Sequence, residues 1–218
     1  MHLTQFTFNP FQENTYIVYD DTQEAIIIDP GMMDEDEDAQ LFEYIAEKNL
    51  KPAMVVNTHC HLDHILGNAS ACARFSIPLL AHRLELPMLD RASSASLMWN
   101  VPYRLSPAPS RFLDEGDEVT FGHTRFRLLL VPGHAPGHIA LVCDDEKLVI
   151  AGDVLFRESV GRVDLPMCNA QDLVYSIQQK MYALPDDYTV HSGHGPETTI
   201  GHEKEHNAFV RIDWQCLI

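Results

Sequence analysis

Four apolar runs in this chain stop on a metal-binding type of side chain. "PAMVVNTHCHLDH" (52–64), "RFRLLLVPGH" (125–134), "KLVIAGD" (147–153) and "YTVHSGH" (188–194) each carry aliphatic residues into a histidine or aspartate. Short β-branched or leucine-rich runs of this kind read as buried strands. The fold therefore has to say whether four strand ends meet. In the last three runs a glycine precedes the donor directly, which lets the backbone turn sharply and carry a side chain into a crowded cleft. Taken one at a time, His134 and His194 also read as hydrogen-bonded loop histidines, and Asp153 as a helix cap or turn residue.

The rest of the chain supplies the scaffold. "HLTQFTF", "NTYIVYD" and "EAIIIDPG" read as successive strands. The acidic run Asp34 to Asp38 reads as the solvated first turn of a helix, because acids favour helix N-termini. "AQLFEYIAEKNL" then has apolar residues at helical spacing. "PAMVVNT" is a strand, "ILGNASACARF" a helix and "IPLLAH" another strand. Arg83 to Arg111 reads as a loop or short helix near a cleft, with Met98, Trp99 and Tyr103 exposed. "DEVTF", "TRFRLLLVPG", "HIALVCD" and "KLVIAGD" repeat the strand grammar. "AQDLVYSIQQKMYAL" and "TIGHEKEHNAFV" are helices, with the strand and loop "YTVHSGHG" between them. Two β-rich halves with helices predict an α/β chain in which two sheets pack face to face. At 218 residues, one domain spanning 1–218 is expected rather than two.

Composition narrows the function. Net charge is −17, from 32 acidic and 15 basic residues, and so negative a surface disfavours nucleic-acid partners. A small anionic substrate stays possible, since a local arginine or a metal can reverse the field in a cleft. No apolar stretch reaches a membrane span of about 18 residues. The cysteines, Cys60, Cys72, Cys143, Cys168 and Cys216, are odd in number and form no CxxC pair. They read as reduced thiols, and the expected location is the cytoplasm.

Within "NTHCHLDHILGN" the spacing has a physical logic. Side chains two apart on an extended segment point the same way, so His59 and His61 can grip one ion. Asp63 and His64 follow as the chain turns, and can face a second ion. Cys60 points away from its neighbours, into packing. Neutral imidazoles and carboxylates without thiolate suit zinc, and also iron or manganese.

His59-x-His61-x-Asp63-His64, followed by His134, Asp153 and His194, resembles the ligand pattern of the metallo-β-lactamase superfamily. The resemblance runs over nearly the whole chain, including "IIIDPG". It implies a four-layer αβ/βα sandwich of two mixed sheets flanked by helices, with two divalent metal ions between the sheet edges. On this resemblance His59, His61 and His134 hold the first ion, Asp63, His64 and His194 the second, and Asp153 bridges them. "VPGHAPGHIAL", "GDVLFRESVGRVDLP" and "NAFVR" look most like glyoxalase II-type thioesterases, which hydrolyse hydroxyacyl-glutathione. Other branches recede: flavodiiron proteins carry Glu where this chain has His61, lactamases usually carry Cys at the bridging Asp153 position, and RNA-processing members usually bring extra domains or basic arms.

Two ions about 3.5–4 Å apart can share a water and bring its pKa near neutrality, supplying a hydroxide to attack a carbonyl. Asp63 would ligate, orient that nucleophile and later carry its proton. A thiolate, with a reference pKa near 8.5, leaves without a strong acid, so thioesters are favoured over amides and less clearly over lactones. The expected substrate is a small thioester. Arg162 stands where the glyoxalase II pattern has a basic residue for the glycine carboxylate of glutathione; the competing reading is that Arg162 pairs with Asp164 to brace the loop. Two aromatic positions of that pattern are Asp164 and Pro196 here, and the helical C-terminal portion is short, as in a shorter bacterial branch where glutathione need not be the thiol. The rival enzyme class is a persulfide dioxygenase-like protein with one iron held by His59, His134 and Asp153. A lactonase and a non-catalytic, metal-stabilised binding module complete the alternatives. His138 is expected to support a ligand by hydrogen bonding. His2, His82, His123, His191, His202 and His206 are expected to be surface or structural. Oligomeric state is not legible from sequence.

Overall fold

A computed structural model describes residues 1–210. Arg211 of "NAFVR" and Cys216 lie outside the described residues. The first half builds a six-stranded sheet from β1 (His2–Phe8), β2 (Glu13–Tyr19), β3 (Glu24–Ile28), β4 (Lys51–Val56), β5 (Leu79–His82) and β6 (Arg111–Leu113), in that spatial order. β1, β2 and β3 pair antiparallel, and β3 to β6 run parallel. The second sheet orders β14 (Thr198–Thr199), β13 (Thr189–Ser192), β10 (Leu148–Gly152), β9 (Ile139–Cys143), β8 (Thr124–Leu130) and β7 (Glu118–Phe121). Only β10 and β13 are parallel there. A hairpin, β11 (Leu155–Phe156) with β12 (Ser159–Val160), follows Asp153.

Strand alternation explains the layers. Ile26 and Ile28 of β3 and Leu148 and Ile150 of β10 face the neighbouring sheet, inside one buried cluster that also holds Tyr16, Phe126 and Leu141. Their neighbours point the other way. Ala25 and Ile27 meet Leu41 and Ile45 of α1 (Glu35–Glu47) and Ala71 of α2 (Asn68–Phe75). Val149 and Ala151 meet Leu173 of α4 (Ala170–Tyr175) and Ile177 and Met181 of the π-helical turn (Ser176–Met181) that continues it. The order helix, sheet, sheet, helix is the expected sandwich.

Local chemistry fixes the helix ends. Asp34 caps α1 by accepting from the Asp36 and Glu37 amides. The acidic run is only partly solvated, because buried Asp38 pairs with Arg104 and accepts from Ser70 at 2.6 Å. Three expectations needed correction. Residues 86–99 form a full helix, α3 (Leu86–Trp99), started by Pro87 in its first turn and ended at Asn100 in the left-handed region, φ 53°. α2 begins at Asn68 rather than Ile65, because the intervening backbone is engaged elsewhere: Gly67 donates to the Pro30 carbonyl and the His64 carbonyl accepts from Asn57. α5 (Ile200–His206) stops short of "NAFV", where the Asn207 amide turns to Glu203 and the Ser159 carbonyl.

The two sheets are tied at one end by their backbones. The Asn14 amide donates to the Gly193 carbonyl at 2.7 Å, and the Ile139 amide donates to the Thr58 carbonyl at 2.9 Å. At this end all four donor-tipped runs finish.

Candidate metal centre

The first sheet delivers four donors from the segment after β4. His59 and His61 follow the strand, and a single 3-10 turn, Leu62–His64, swings Asp63 and His64 round beside them. The second sheet delivers His134 after β8, Asp153 after β10 and His194 after β13. One donor atom from each of His59, His61 and His134 falls within 4.8 Å of the others, and so do those of Asp63, His64 and His194. Asp153 lies between the groups. Its Oδ2 is 3.5 Å from both His134 Nε2 and His194 Nε2, and its Oδ1 is 3.4 Å from His64 Nε2.

This convergence needs two glycines. Gly152 has φ 49°, a left-handed turn that aims Asp153 back between the groups. A Cβ on Gly193 would sit 2.1 Å from Asp153 Oδ1 and 2.7 Å from His64 Cε1, so no larger residue fits.

Hydrogen bonds set which imidazole nitrogen is free. His134 Nδ1 donates to the Arg162 carbonyl at 2.9 Å, which leaves Nε2 with its lone pair. His194 Nδ1 donates to the carbonyls of Phe11 and Gln12, both at 3.1 Å, with the same result. The Thr58 hydroxyl spends its proton on Asp29 Oδ2 at 2.6 Å, so it accepts from His59 Nδ1 at 3.1 Å. His64 Nδ1 faces Asp29 Oδ2 at 3.3 Å. The ring nitrogens that remain point inward, and His61 Nδ1 and His134 Nε2 converge to 2.8 Å.

Charge follows the same division. Burial, then the neighbouring imidazoles, pushes His59 and His138 well below the ordinary histidine range, and His61 down to about 3. These rings are neutral donors. Burial works against the ionised Asp63 and Asp153, but the surrounding histidines, His64 foremost with His194 and, for Asp153, His134, together outweigh it and hold both carboxyls below their usual range. Burial likewise disfavours a charged His64, yet Asp153 and Asp63 lift it well above 6.5. The carboxylates thus call for positive charge at the place where lone pairs converge. His59 Nε2, His64 Nε2 and Asp153 Oδ1 are buried without a hydrogen-bond partner, and orphaned polar atoms of this kind need a ligand to account for them. The donor set fits nitrogen- and oxygen-preferring divalent ions.

All seven expected donors therefore lie together. Cys60 points away into an apolar cluster with Leu62, Ile65 and Ala92, as alternation required. His138 Nε2 accepts from the Asp153 amide at 3.0 Å, the supporting role expected of it. Arg162 does not reach the centre with its side chain. Its guanidinium forms two bonds to Asp164, at 2.7 and 2.8 Å, on the surface.

Three acids escaped sequence reasoning. Asp29, at φ 48°, accepts from the Thr58 amide and hydroxyl and buttresses His64. Its only sequence signal is its place in "IIIDPG". Buried Glu13 stands 3.8 Å behind His64, and burial raises its carboxyl well above the usual range. Glu85, wholly buried, accepts from the Cys60 amide at 2.8 Å and the Gly137 amide at 2.7 Å, clamping the two histidine loops together. Nothing in the sequence around Glu85 marks it.

Known proteins resemble this chain over most of its length. The sequence profile described as "Metallo-beta-lactamase superfamily" matches residues 8–194. A probable metallo-hydrolase, YqgX of Bacillus subtilis, is 37% identical over 92% of this chain and 93% of its own. The hydroxyacylglutathione hydrolase GloC of Haemophilus influenzae is 32% identical over 96% and 98%. The human mitochondrial persulfide dioxygenase ETHE1 is 33% identical over 93% of this chain and 72% of its own. Among solved structures, BLEG-1, described as a B3 metallo-beta-lactamase, superposes with a TM-score of 0.88 at 34% identity, over 96% of this chain and 99% of its own. TTHA1623 in a di-iron-bound form gives 0.85 at 37%, over 94% and 99%. The chain belongs to the metallo-beta-lactamase superfamily of metallo-hydrolases.

Proposed function

We propose that this protein hydrolyses small thioesters at a centre holding two divalent ions, zinc or iron foremost. The observation that carries the reading is Asp153, whose two oxygens face both donor groups at 3.4–3.5 Å. His59, His61 and His134 would hold one ion, Asp63, His64 and His194 the other, with Asp153 shared. When bound, such ions activate water and stabilise the oxyanion that forms on a carbonyl.

The chain's own groups do the rest. Asp63 is an ionised carboxylate whose side chain is 18% exposed. It can accept a hydrogen bond from the attacking water and take its proton. Asp63 Oδ2 lies 3.2 Å from His194 Nε2, so the two would be neighbouring ligands of one ion. The Phe11 and Gln12 carbonyls and the Arg162 carbonyl hold His194 and His134 in the orientation the centre needs. The two carboxyls that burial biases towards the protonated form, Glu13 and Glu85, are sealed from solvent behind the histidines. Neither can hand a proton to a leaving group, and a thiolate does not need one. That supports thioesters over amides.

The test pairs elemental analysis of purified protein with hydrolysis of S-lactoylglutathione and a panel of neutral thioesters and lactones. Two ions per chain with thioester turnover is the expected result. Asp63→Ala should weaken the second ion and reduce kcat at least 100-fold while the thermal melt stays cooperative; full activity in that variant would refute the role given to Asp63. The likeness to ETHE1 favours one second reading, an iron enzyme acting on persulfides. One iron per chain, with oxygen consumed on glutathione persulfide, would establish it instead.

A further inference from the structure

Solvent reaches the centre at His194, Asp63 and His61, which are partly exposed. The side chains of His194 and Asp63 are 26% and 18% exposed, whereas His59 and His64 are fully buried and His134 is 2% exposed. Three aromatic rings frame the His194 side. The Phe156 ring lies 6.2 Å from the His194 imidazole at an angle of 73°. Phe11, whose carbonyl holds His194, meets the Trp99 ring edge-on at 5.9 Å. Trp99 is half exposed at the end of α3. Met88, Leu89, Ala92 and Ala95 rest α3 on the cluster beneath the histidine loop, which Phe11 also joins, and Trp99 leans on Phe11 while leaving half of its surface to solvent.

The opposite end of the centre has a different chemistry. There His134 is held by the Arg162 carbonyl, and the Arg162 guanidinium is engaged by Asp164. A substrate whose carbonyl reaches Asp63 and His194 lies beside the Phe156 ring and can extend an arm towards Phe11 and Trp99. Apolar surface kept in water beside a reaction centre is recovered only when a ligand covers it, at about 25 cal/mol per Å².

We propose that Phe11, Trp99 and Phe156 form a binding surface for an apolar arm of the substrate. The thioesters this enzyme takes then carry an alkyl or aryl group on one side of the reacting carbonyl, and that group drives recognition in place of a charged peptide arm. This inference rests on the thioester hydrolase reading, and its test separates the two.

Full-length, metal-loaded protein is assayed with two series: acetyl, butyryl and hexanoyl thioesters of one small neutral thiol, and acetyl thioesters of alkyl thiols of rising length. Along one series kcat/KM should climb about two- to fourfold per methylene. Trp99→Ala should bring that slope close to unity, and Phe156→Leu should lower it; a thermal melt of each variant confirms folding. Binding without turnover is read from the emission shift of Trp99 on adding alkyl thioethers of the same lengths, with Trp99→Phe as the blank. Chain-length-dependent binding without any thioester hydrolysis would remove the hydrolase reading and keep the aromatic surface. Hydrolysis that is flat in both series would overturn the surface and keep the hydrolase.

Discussion

Glu85 shows how much of a metal site can rest on a residue that touches no metal. Each carboxylate oxygen takes one backbone amide, from Cys60 between two ligand histidines and from Gly137 in the loop of His134. Glu85→Gln keeps the shape but turns one acceptor into an amide donor that faces an N–H. Affinity for the ion held by His59, His61 and His134 should fall about 10- to 100-fold, the usual loss when a group supporting ligands is removed; competition with a chromogenic chelator measures it. Burial raises this carboxyl from 4.5 to about 7. A raised acid stabilises the fold fully below its unfolded value and loses that contribution as pH rises through the folded one. Metal-stripped wild type should therefore lose stability relative to Glu85→Gln between about pH 4.5 and 7, as read from urea melts in chelator. Arg162→Ala makes the complementary case. Because the guanidinium is bound to Asp164, the substitution should change KM equally for carboxylate-bearing and neutral thioesters; a selective effect on the former would restore the anion-binding role. The donors themselves were legible because histidine and aspartate directly after apolar runs have few other uses. Glu85 and Glu13 were not, because their meaning lies in long-range contacts with backbone amides and with His64, and no local pattern encodes those.

At the scale of elements, periodicity was a reliable guide wherever one face is buried. β3 and β10 read correctly because alternate residues feed two different cores. α3 was not legible as a helix: its serines and alanines blur the apolar stripe, and among its residues only Ala92 is buried. It becomes a helix by resting Met88, Leu89 and Ala95 on the cluster beneath the histidine loop. Far from the metal centre, the turn residue Asp20 joins the two sheets, beside Glu24, which accepts from the Gly122 amide at 2.8 Å. Asp20, between β2 and β3, accepts from the His123 amide at 2.6 Å and the Thr124 hydroxyl at 3.0 Å, which belong to the turn between β7 and β8 and to the start of β8. It also accepts from the Thr22 amide and hydroxyl. Burial pulls this carboxyl up, but the four bonds outweigh it and hold it at about 2. Asp20→Ala should cost about 1–3 kcal/mol at neutral pH, the penalty for stranding the donors. A lowered acid contributes above its unfolded value, 3.8, and loses that contribution as pH falls through the folded one. The difference between wild type and variant should therefore shrink between about pH 4 and pH 2, measured by chemical denaturation across that range.

At the scale of the whole molecule, the site is a seam. His59, His61, Asp63 and His64 come from the first sheet, and His134, Asp153 and His194 from the second. Each proposed ion takes ligands from both, so each would cross-link the two halves at the end where the Asn14–Gly193 and Ile139–Thr58 backbone bonds already join them. Without that charge, Asp63, Asp153 and Asp29 crowd around one buried histidine, and His59 Nε2, His64 Nε2 and Asp153 Oδ1 have no hydrogen-bond partner. Metal removal should then act on stability as strongly as on turnover. At free metal about 100 times the dissociation constant, binding to the folded state alone contributes about 2.7 kcal/mol. In a chain of this size that corresponds to roughly 5–10 °C of melting temperature. Excess chelator should lower the melting temperature by that amount, and amides at the seam, Asn14 and Ile139 among them, should exchange faster than those of Ile26 and Ile27 in β3 and Leu141 and Val142 further along β9. Uniform acceleration through both sheets would show that the ions support the whole core. No change at the seam would show that the backbone bonds alone hold the sheets in register, leaving the ions to serve chemistry.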